Sequence, residues 1–260
     1  MILSMTQMVL AVVSGSIVGF SLGLVGGGGS ILAVPLLVYV VGLDNPHVAI
    51  GTSAIAVALN AAAGLPTHAR TGNVKWRCAT VFAAAGVAGA FIGSTFGKML
   101  NGQKLLALFA ILMMVVGGLM LRDRARTGDP TVKLSRENLP KLLGLGLLAG
   151  LLSGFFGIGG GFLIVPALML AAGMPILNAV GSSLVSVSAF GLTTAGNYAW
   201  SGLVDWPLAG LFVAGGVLGG LLGARSARSL ADRQGALTTA FAALIFAVAL
   251  YMLVRSLNLI

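Results

Sequence analysis

The long apolar stretches of this sequence lack charge. No Asp, Glu, Lys or Arg occurs between Met1 and Leu43 or between Leu142 and Val204, and charged residues make up only 8% of the 260 residues. Such stretches are long enough to cross the hydrocarbon core of a bilayer as helices. No Asp or Glu lies in any predicted span, which excludes the carboxylate proton relay that many pumps use.

The sequence also lacks the short motifs of common enzyme chemistry. It has no GxxxxGK[ST] phosphate loop, no HExxH zinc motif and no Gly-x-Ser-x-Gly nucleophile elbow. Cys78 is the single cysteine, so neither an intramolecular disulfide nor a thiolate metal cluster can form. We therefore predict no ATP-driven step, no catalytic residue, no metal site and no cofactor, and we expect the chain not to be an enzyme.

The charge that is present is mostly basic. The formal net charge is +9, and the Lys and Arg residues lie in short loops between the apolar stretches. This pattern is typical of residues that set the orientation of a membrane protein, whereas a nucleic-acid-binding protein would carry them on one soluble face. We therefore expect the lipid bilayer, and not nucleic acid, as a partner.

Glycine is abundant, and one glycine-rich stretch occurs twice. Aligning residues 19–35 with residues 150–166 gives eight identical positions in seventeen, including a final proline, Pro35 or Pro166. Lipid cannot satisfy the backbone amides that such stretches expose, so they must be buried in protein or face a water-filled cavity. Paired breaks of this kind are where a transporter would bind its solute.

Hydropathy predicts five helical segments in each half of the chain. The halves are residues 1–121 and 141–260, and the polar stretch 122–140 joins them as a cytoplasmic linker. The second segment of each half is too short to cross a bilayer comfortably, so each glycine break predicts either a broken helix pair or a re-entrant hairpin. The predicted segments are 7–25, 31–43, 47–66, 78–97, 104–121, 141–157, 162–173, 179–198, 207–224 and 236–254.

The loop charges favour an inverted relation between the two halves. If each half crosses the membrane an odd number of times, more Lys and Arg residues fall on the linker side than in the alternative parallel arrangement. Equivalent segments then run in opposite directions and assemble a central site from the two breaks. The predicted fold class is therefore all-α, a polytopic membrane protein of 8 to 10 helical segments in two inverted repeats.

Three groups of residues are candidates for binding an anion. The first group is the pair of glycine breaks, whose unpaired amides and helix dipoles attract negative charge. The second group supplies hydroxyl donors at the start of the following segments, and the third supplies outer polar contacts. The candidate substrate-binding residues are Gly26, Gly27, Gly28, Gly29, Ser30, Thr52, Ser53, Asn60, His68, Gly157, Gly159, Gly160, Gly161, Ser182, Ser183 and Asn197.

The polar candidates have a structural alternative. A Ser or Thr hydroxyl in a membrane helix often bonds back to a carbonyl one turn earlier or joins two helices. A single histidine such as His68 is often only an interfacial polar group, although its imidazole titrates near neutral pH and is able to take a proton. The second repeat has Tyr198 at the position of His68, so the halves differ chemically there.

Together these residues resemble a known family. Both copies of the Gly-x-Gly-Gly-Gly/Ser segment that ends in proline precede a Gly-[Thr/Ser]-Ser sequence, and the stretches 68–76 and 198–206 both end in tryptophan. This combination is similar to the TauE/SafE family of sulfite and organosulfonate exporters, over about residues 10–255. The resemblance implies a bacterial or archaeal inner-membrane permease for small sulfur-containing anions.

The sequence therefore predicts a secondary transporter, an exporter by resemblance, that carries a small anion by alternating access between the glycine breaks. A coupling ion or proton and a homo-oligomeric assembly are compatible with this function. A channel-like anion conduit, which the residues do not distinguish from a carrier, is the main alternative. A membrane enzyme or an assembly scaffold is a more distant one.

Overall fold

The computed structural model describes residues 4–122, 128–129, 132–229 and 234–256, and these residues form helices joined by short turns. No strand occurs among them, so the all-α prediction is confirmed. The helices of the first half are α1 (Met5–Val25), α2 (Ala33–Pro35), α3 (Pro46–Arg70), α4 (Trp76–Met99) and α5 (Gly102–Arg122). Those of the second half are α6 (Leu139–Phe156), α7 (Gly161–Ala172), α8 (Ile176–Trp200), α9 (Trp206–Ser229) and α10 (Gln234–Ser256).

Six of the described helices are long and apolar enough to cross a bilayer, namely α1, α3, α4, α6, α8 and α9. The chain is therefore a multi-pass membrane protein. Helix α7 has 12 residues, and at about 1.5 Å per residue it covers only part of a hydrocarbon core that is about 30 Å thick. The short second segment predicted for the second half is thus present as a short helix.

The glycine break of the second half is a turn between α6 and α7. Gly157, Gly159 and Gly160 have φ angles of +68°, +64° and +70°, and α7 begins at the next residue, Gly161. Glycine adopts these left-handed angles without the steric cost that a Cβ brings. The run of glycines therefore allows the chain to leave one helix and start another within four residues.

The break of the first half has a different backbone. Residues Gly26–Leu32 form a 3₁₀ helix, which continues through α2 into a π-helical turn at Leu36–Val40. Helical structure therefore resumes at Gly26, five residues before the predicted segment 31–43. Side chains at positions i and i+3 eclipse each other in a 3₁₀ helix, and glycines such as Gly26 and Gly29 have no side chain to eclipse.

The two halves interlock through parallel helix pairs that are rich in glycine. Helix α1 packs along α9, and its repeat counterpart α6 packs along α4. A Cβ on Gly19 would overlap the carbonyl oxygen of Gly216, and a Cβ on Gly150 would overlap that of Gly86. Because Gly19 and Gly216 are the repeat counterparts of Gly150 and Gly86, both interfaces depend on the same close backbone approach.

Helices α3 and α8 cross at the centre of the molecule with opposite chain directions. Gly64, near the end of α3, lies 3.9 Å from Leu184 in the first half of α8, whereas Gly191 of α8 lies 2.8 Å from Ala58, each measured from a Cβ built on the glycine. Antiparallel packing of equivalent helices is what an inverted repeat requires. The inversion across the membrane, and the halves 1–121 and 141–260, remain predictions.

The polar linker lies partly outside the described residues. Within its described part, the Asp129 N–H donates to the carbonyl oxygen of Gly173 at 2.9 Å. Gly128 also lies against Met174 and Pro175. This stretch of the linker is therefore attached to the turn that follows α7.

We expect Gly150→Ala to destabilise the fold by about 1–3 kcal/mol, because the added methyl group forces α4 and α6 apart. Gly144→Ala is the matched control on the same helix, since a Cβ on Gly144 meets no atom within 4 Å. That control is expected to be neutral, or stabilising by up to about 1 kcal/mol. Thermal unfolding of both variants in detergent measures the difference, and equal midpoints would contradict the close-packing interpretation.

Candidate functional site

The second glycine break lies between α3 and α8 where they cross. A Cβ on Gly159 would lie 2.7 Å from a methyl group of Val57 and 3.4 Å from one of Val187, two valines that are repeat counterparts. Residues 157–161 are all buried. Helix α7 also contacts the 3₁₀ helix of the first break, which in turn contacts α8. The structure therefore brings both breaks together at the centre of the protein.

The first break is described in less detail. Gly29 and Ser30 are buried, and a Cβ on Gly29 would overlap the backbone nitrogen of Leu22 in α1. Gly26, Gly27 and Gly28 belong to the 3₁₀ helix, and their burial lies outside what the structure describes. A binding role for any of these residues remains a prediction.

Ser153 adds a polar group to the second break that the sequence analysis did not select. Its hydroxyl is buried and has no hydrogen-bond partner in the described part of the chain. The Ser153 Oγ lies 2.6 Å from the position that a Cβ on Gly160 would take, and Gly160 directly precedes α7. An unpartnered hydroxyl thus lies beside the start of a buried helix, where the helix dipole is positive.

Two of the predicted hydroxyl donors connect a helix of one half to the start of a helix in the other half. The Asp205 N–H donates to Thr52 Oγ1 at 3.0 Å, and the Lys75 N–H donates to Ser182 Oγ at 2.9 Å. Asp205 and Lys75 directly precede α9 and α4, and the two hydrogen bonds are repeat counterparts. Each hydroxyl therefore attaches the start of one helix to the centre of the protein, as the structural alternative predicts.

The neighbouring serines bond to backbone carbonyls. Ser53 Oγ donates to the Ile50 carbonyl oxygen at 2.9 Å, with a longer contact of 3.3 Å to that of Gly157 in the glycine break. Ser183 Oγ donates to the Val180 carbonyl oxygen at 2.8 Å. Ser53 is therefore the hydroxyl candidate that contacts the break directly, and the binding role predicted for all four hydroxyls stays a prediction.

Asn60 and His68 lie together in a cavity of about 90 Å³ that is lined by α1, α3, α8 and α9. Asn60 is only 5% exposed, and neither its amide nitrogen nor its amide oxygen has a partner among the described residues. His68 Nδ1 is buried without a partner as well. Gly19, Leu22, Thr67 and Gly216 also line this cavity, which we call the Asn60 cavity.

The sequence profile of the family described as "Sulfite exporter TauE/SafE" matches residues 11–252 of this chain. The chain belongs to the TauE/SafE family. Its sequence is similar to that of a "Probable membrane transporter protein" of Xylella fastidiosa (strain Temecula1 / ATCC 700964), with 50% identity over 98% of each chain. It is also similar to the "Probable membrane transporter protein YunE" of Bacillus subtilis (strain 168), with 29% identity over 85% of this chain and 89% of YunE. No solved structure matches the chain.

These similarities confirm the resemblance and make this TauE/SafE chain a membrane transporter. The names of the relatives give no substrate. Archaea contain a similar protein, the "Probable membrane transporter protein MJ0441" of Methanocaldococcus jannaschii, with 29% identity over 72% of this chain and 69% of its own.

Asn197 lies apart from the Asn60 cavity, in a polar cluster between α4 and α8 of the TauE/SafE chain. Lys98 Nζ donates to the Asn197 carbonyl oxygen at 2.9 Å, to its side-chain oxygen at 2.7 Å and to Ser201 Oγ at 2.8 Å. The Asn197 Nδ2 donates to Ser94 Oγ at 2.7 Å and to Thr95 Oγ1 at 2.9 Å. These five residues form what we call the Lys98 cluster, in which the polar groups are well bonded.

The Lys98 cluster was missed in the sequence because a lysine at the end of an apolar segment is typical of an orientation signal. Its α4 and α8 members are separated by about a hundred residues along the chain, so spacing alone does not connect them. Ser153 was missed for a related reason. A single serine in an apolar helix usually bonds its own backbone, and only the structure shows that this one does not.

We predict that Lys98 and Asn197 stabilise the α4–α8 junction as a unit. Lys98→Met and Asn197→Leu should each lower the unfolding midpoint. The double variant should be less destabilised than the sum of the two, with a coupling energy of about 1 kcal/mol. Thr193→Ala is the control on α8, because its hydroxyl bonds only to the Ala189 carbonyl of its own helix at 2.8 Å. Strictly additive effects would show that the cluster is not coupled.

Proposed function

We propose that this chain is a secondary transporter that moves small sulfur-containing anions, such as sulfite or organosulfonates, across the inner membrane of a bacterium or archaeon. Export is the proposed direction. The observation that carries the proposal is the meeting of the two glycine breaks at the crossing of α3 and α8, where the second break is buried throughout. The description of the family as sulfite exporters supports the class of substrate.

The chemistry of the breaks suits a small anion. An anion at membrane depth must exchange its hydration shell for fixed dipoles or charges. The start of α7 supplies a helix dipole, and the Ser153 hydroxyl beside it is free to donate. Because these donors are neutral, they bind an anion without the attraction of a full buried positive charge, which makes release easier.

Two regions of the protein that are counterparts in the repeat differ in structure, and this difference supports alternating access. The Asn60 cavity lies where α3 meets α9. In the counterpart region, where α8 meets α4, the Phe190 ring fills the space over Gly86, and the Lys98 cluster lies beside it. A carrier built from inverted repeats exchanges the conformations of its halves during transport. In any single state of that cycle, one region is expected to be open and its counterpart closed. The structure has this arrangement, with a cavity in one region and none described in the other.

The proposal includes several partners. The bilayer surrounds the spanning helices, neither nucleic acid nor a cofactor takes part, and the chain performs no chemical conversion. A coupling ion or proton accompanies the anion, and His68 is the titratable side chain that lines the Asn60 cavity. A homo-oligomer is compatible with the exposed apolar residues of the outer helices, such as Phe91 and Leu218.

Flux into liposomes that contain the purified protein tests the transport proposal. A carrier should give saturable sulfite uptake that accelerates when the opposite side is preloaded with unlabelled sulfite. Flux that stays linear in sulfite concentration without counterflow would favour the channel-like conduit. The absence of any anion-dependent flux would contradict both and would favour an enzyme or a scaffold.

A serine pair tests the site at the glycine breaks. Ser153→Ala should fold normally, because the hydroxyl has no partner to lose among the described residues, and should weaken anion binding about tenfold or more by removing one donor to a charged ligand. Ser16→Ala is the control, since its hydroxyl donates to the Val12 carbonyl oxygen one turn earlier, at 2.8 Å. Stabilisation of each variant against heat by added sulfite measures the binding, and equal affinity of the two would contradict the site.

Substitution of a break glycine is a poorer test than the serine pair. Gly159 has a φ of +64°, and any side chain there also meets Val57. Gly159→Val would therefore strain the backbone and the α3–α8 crossing whether or not the break binds an anion.

A further inference from the structure

The Asn60 cavity contains a buried amide group that has no partner among the residues that the structure describes. The side chain lines the cavity and is 95% buried, and both its Nδ2 donor and its Oδ1 acceptor lack a partner within the described ranges. Buried polar groups in proteins are almost always hydrogen-bonded, to protein, water or a ligand. The amide therefore calls for an occupant that both accepts and donates a hydrogen bond.

The two repeats place different side chains over the same glycine position. Asn60 packs against Gly216, where a Cβ would overlap its Nδ2. The repeat counterparts of these residues are Phe190 and Gly86, and there the phenyl ring fills the space over the glycine. The second repeat thus closes this position with an apolar ring, whereas the first places a polar group in the same position beside a cavity.

The cavity is small, and its polar groups are few. At a share of about 30 Å³ for each water molecule, it has room for about three waters or one small oxyanion. Besides Asn60, the polar side chains that line it are Thr67 and His68, and most of the other lining residues are glycine or leucine. Of these three polar side chains, Asn60 is the one that is buried.

We propose that the Asn60 cavity is a specificity site for small oxyanions that carry a hydrogen, such as hydrogensulfite or hydrogenphosphate. This proposal rests on the proposed anion transport and ranks its substrates, with hydrogensulfite bound more tightly than sulfonates that lack an O–H group. Asn60 Nδ2 donates to an anion oxygen, and Asn60 Oδ1 accepts from the O–H group of the same anion. Sulfate and simple sulfonates have only acceptor oxygens, so they leave Oδ1 unpaired and facing negative charge.

The position of the cavity is suited to binding an anion before it reaches the glycine breaks. Leu22 and Gly23 of α1 line it, and the first break begins three residues after Gly23, at Gly26. A Cβ on Gly29 of that break would overlap the backbone nitrogen of Leu22. An anion in the cavity is therefore separated from the first break by little more than the end of one helix.

Hydrogenphosphate and sulfate are a matched pair of probes, because both are tetrahedral and of similar size but only phosphate carries an O–H group at neutral pH. We expect the intact protein in detergent to bind phosphate at least about tenfold more tightly than sulfate at equal pH and ionic strength, since a binding site rejects a ligand that leaves a buried polar group unpaired. Titration calorimetry measures both affinities.

Asn60→Leu removes the amide at nearly constant volume and should abolish the preference for phosphate. It should fold at least as well as the parent, because it deletes buried polar atoms that have no partner in the described part of the chain. Asn60→Ala, which removes the amide and frees volume, provides a second variant with the same expected loss of preference. Asn178→Leu is the control, because Asn178 lies on α8, bonds the Asn73 carbonyl at 3.4 Å and does not line the cavity.

Two results would overturn the inference. One is a parent protein that binds phosphate and sulfate equally, and the other is an Asn60 variant that keeps the phosphate preference. If sulfite flux persists while either result is found, the specificity proposal fails and the transport proposal stands. If the parent shows no sulfite flux, the transport proposal fails, and the comparison of phosphate with sulfate still decides whether Asn60 selects for an O–H group.

Discussion

The structure depends on one constraint, which is that a backbone break inside a membrane must be covered by protein. Lipid offers no hydrogen bonds, so the amides and carbonyls released at a break need partners from neighbouring helices. Helices α3 and α8 provide this cover, with Val57 and Val187 packed on Gly159 and Ser53 reaching the Gly157 carbonyl. The glycine contacts of α1 with α9 and of α4 with α6 then draw the outer helices close around the crossing.

Much of the fold follows from the sequence, because a membrane leaves few alternatives to apolar helices. The segment predicted at 162–173 is α7, Gly161–Ala172, and the six long helices all begin and end near predicted segments. The backbone of the first break was less predictable. Consecutive glycines have no side-chain periodicity, so the sequence does not distinguish a 3₁₀ helix over Gly26–Leu32 from the open turn of the second break.

The candidate site was predictable in its outline but not in its partners. The repeat in the sequence indicated the glycine breaks and the hydroxyls that follow them. The hydrogen bond between Thr52 and Asp205 was not predictable, because it joins residues 153 positions apart and depends on how the two halves pack together. Asn60 and Asn197 were equivalent candidates in the sequence. They differ in the structure because Asn60 faces a cavity over Gly216, whereas Asn197 is held by Lys98 and two hydroxyls of α4.

The two repeats have different side chains at equivalent positions, and this difference affects the relative energies of the conformations of a carrier. If both repeats had the same side chains at the crossing, the two conformations of an inverted-repeat carrier would have equal energy by symmetry. In this chain the Lys98 cluster contributes several hydrogen bonds to the present state and the Phe190 ring covers Gly86, whereas Asn60, the counterpart of Phe190, has an amide without a partner among the described residues. Because a ligand shifts such an equilibrium only through its different affinity for the two states, an anion bound to Asn60 would stabilise the same state that Lys98 stabilises. Release on the opposite side of the membrane would then require both sets of contacts to break together, which couples occupancy of the Asn60 cavity to opening of the region between α4 and α8.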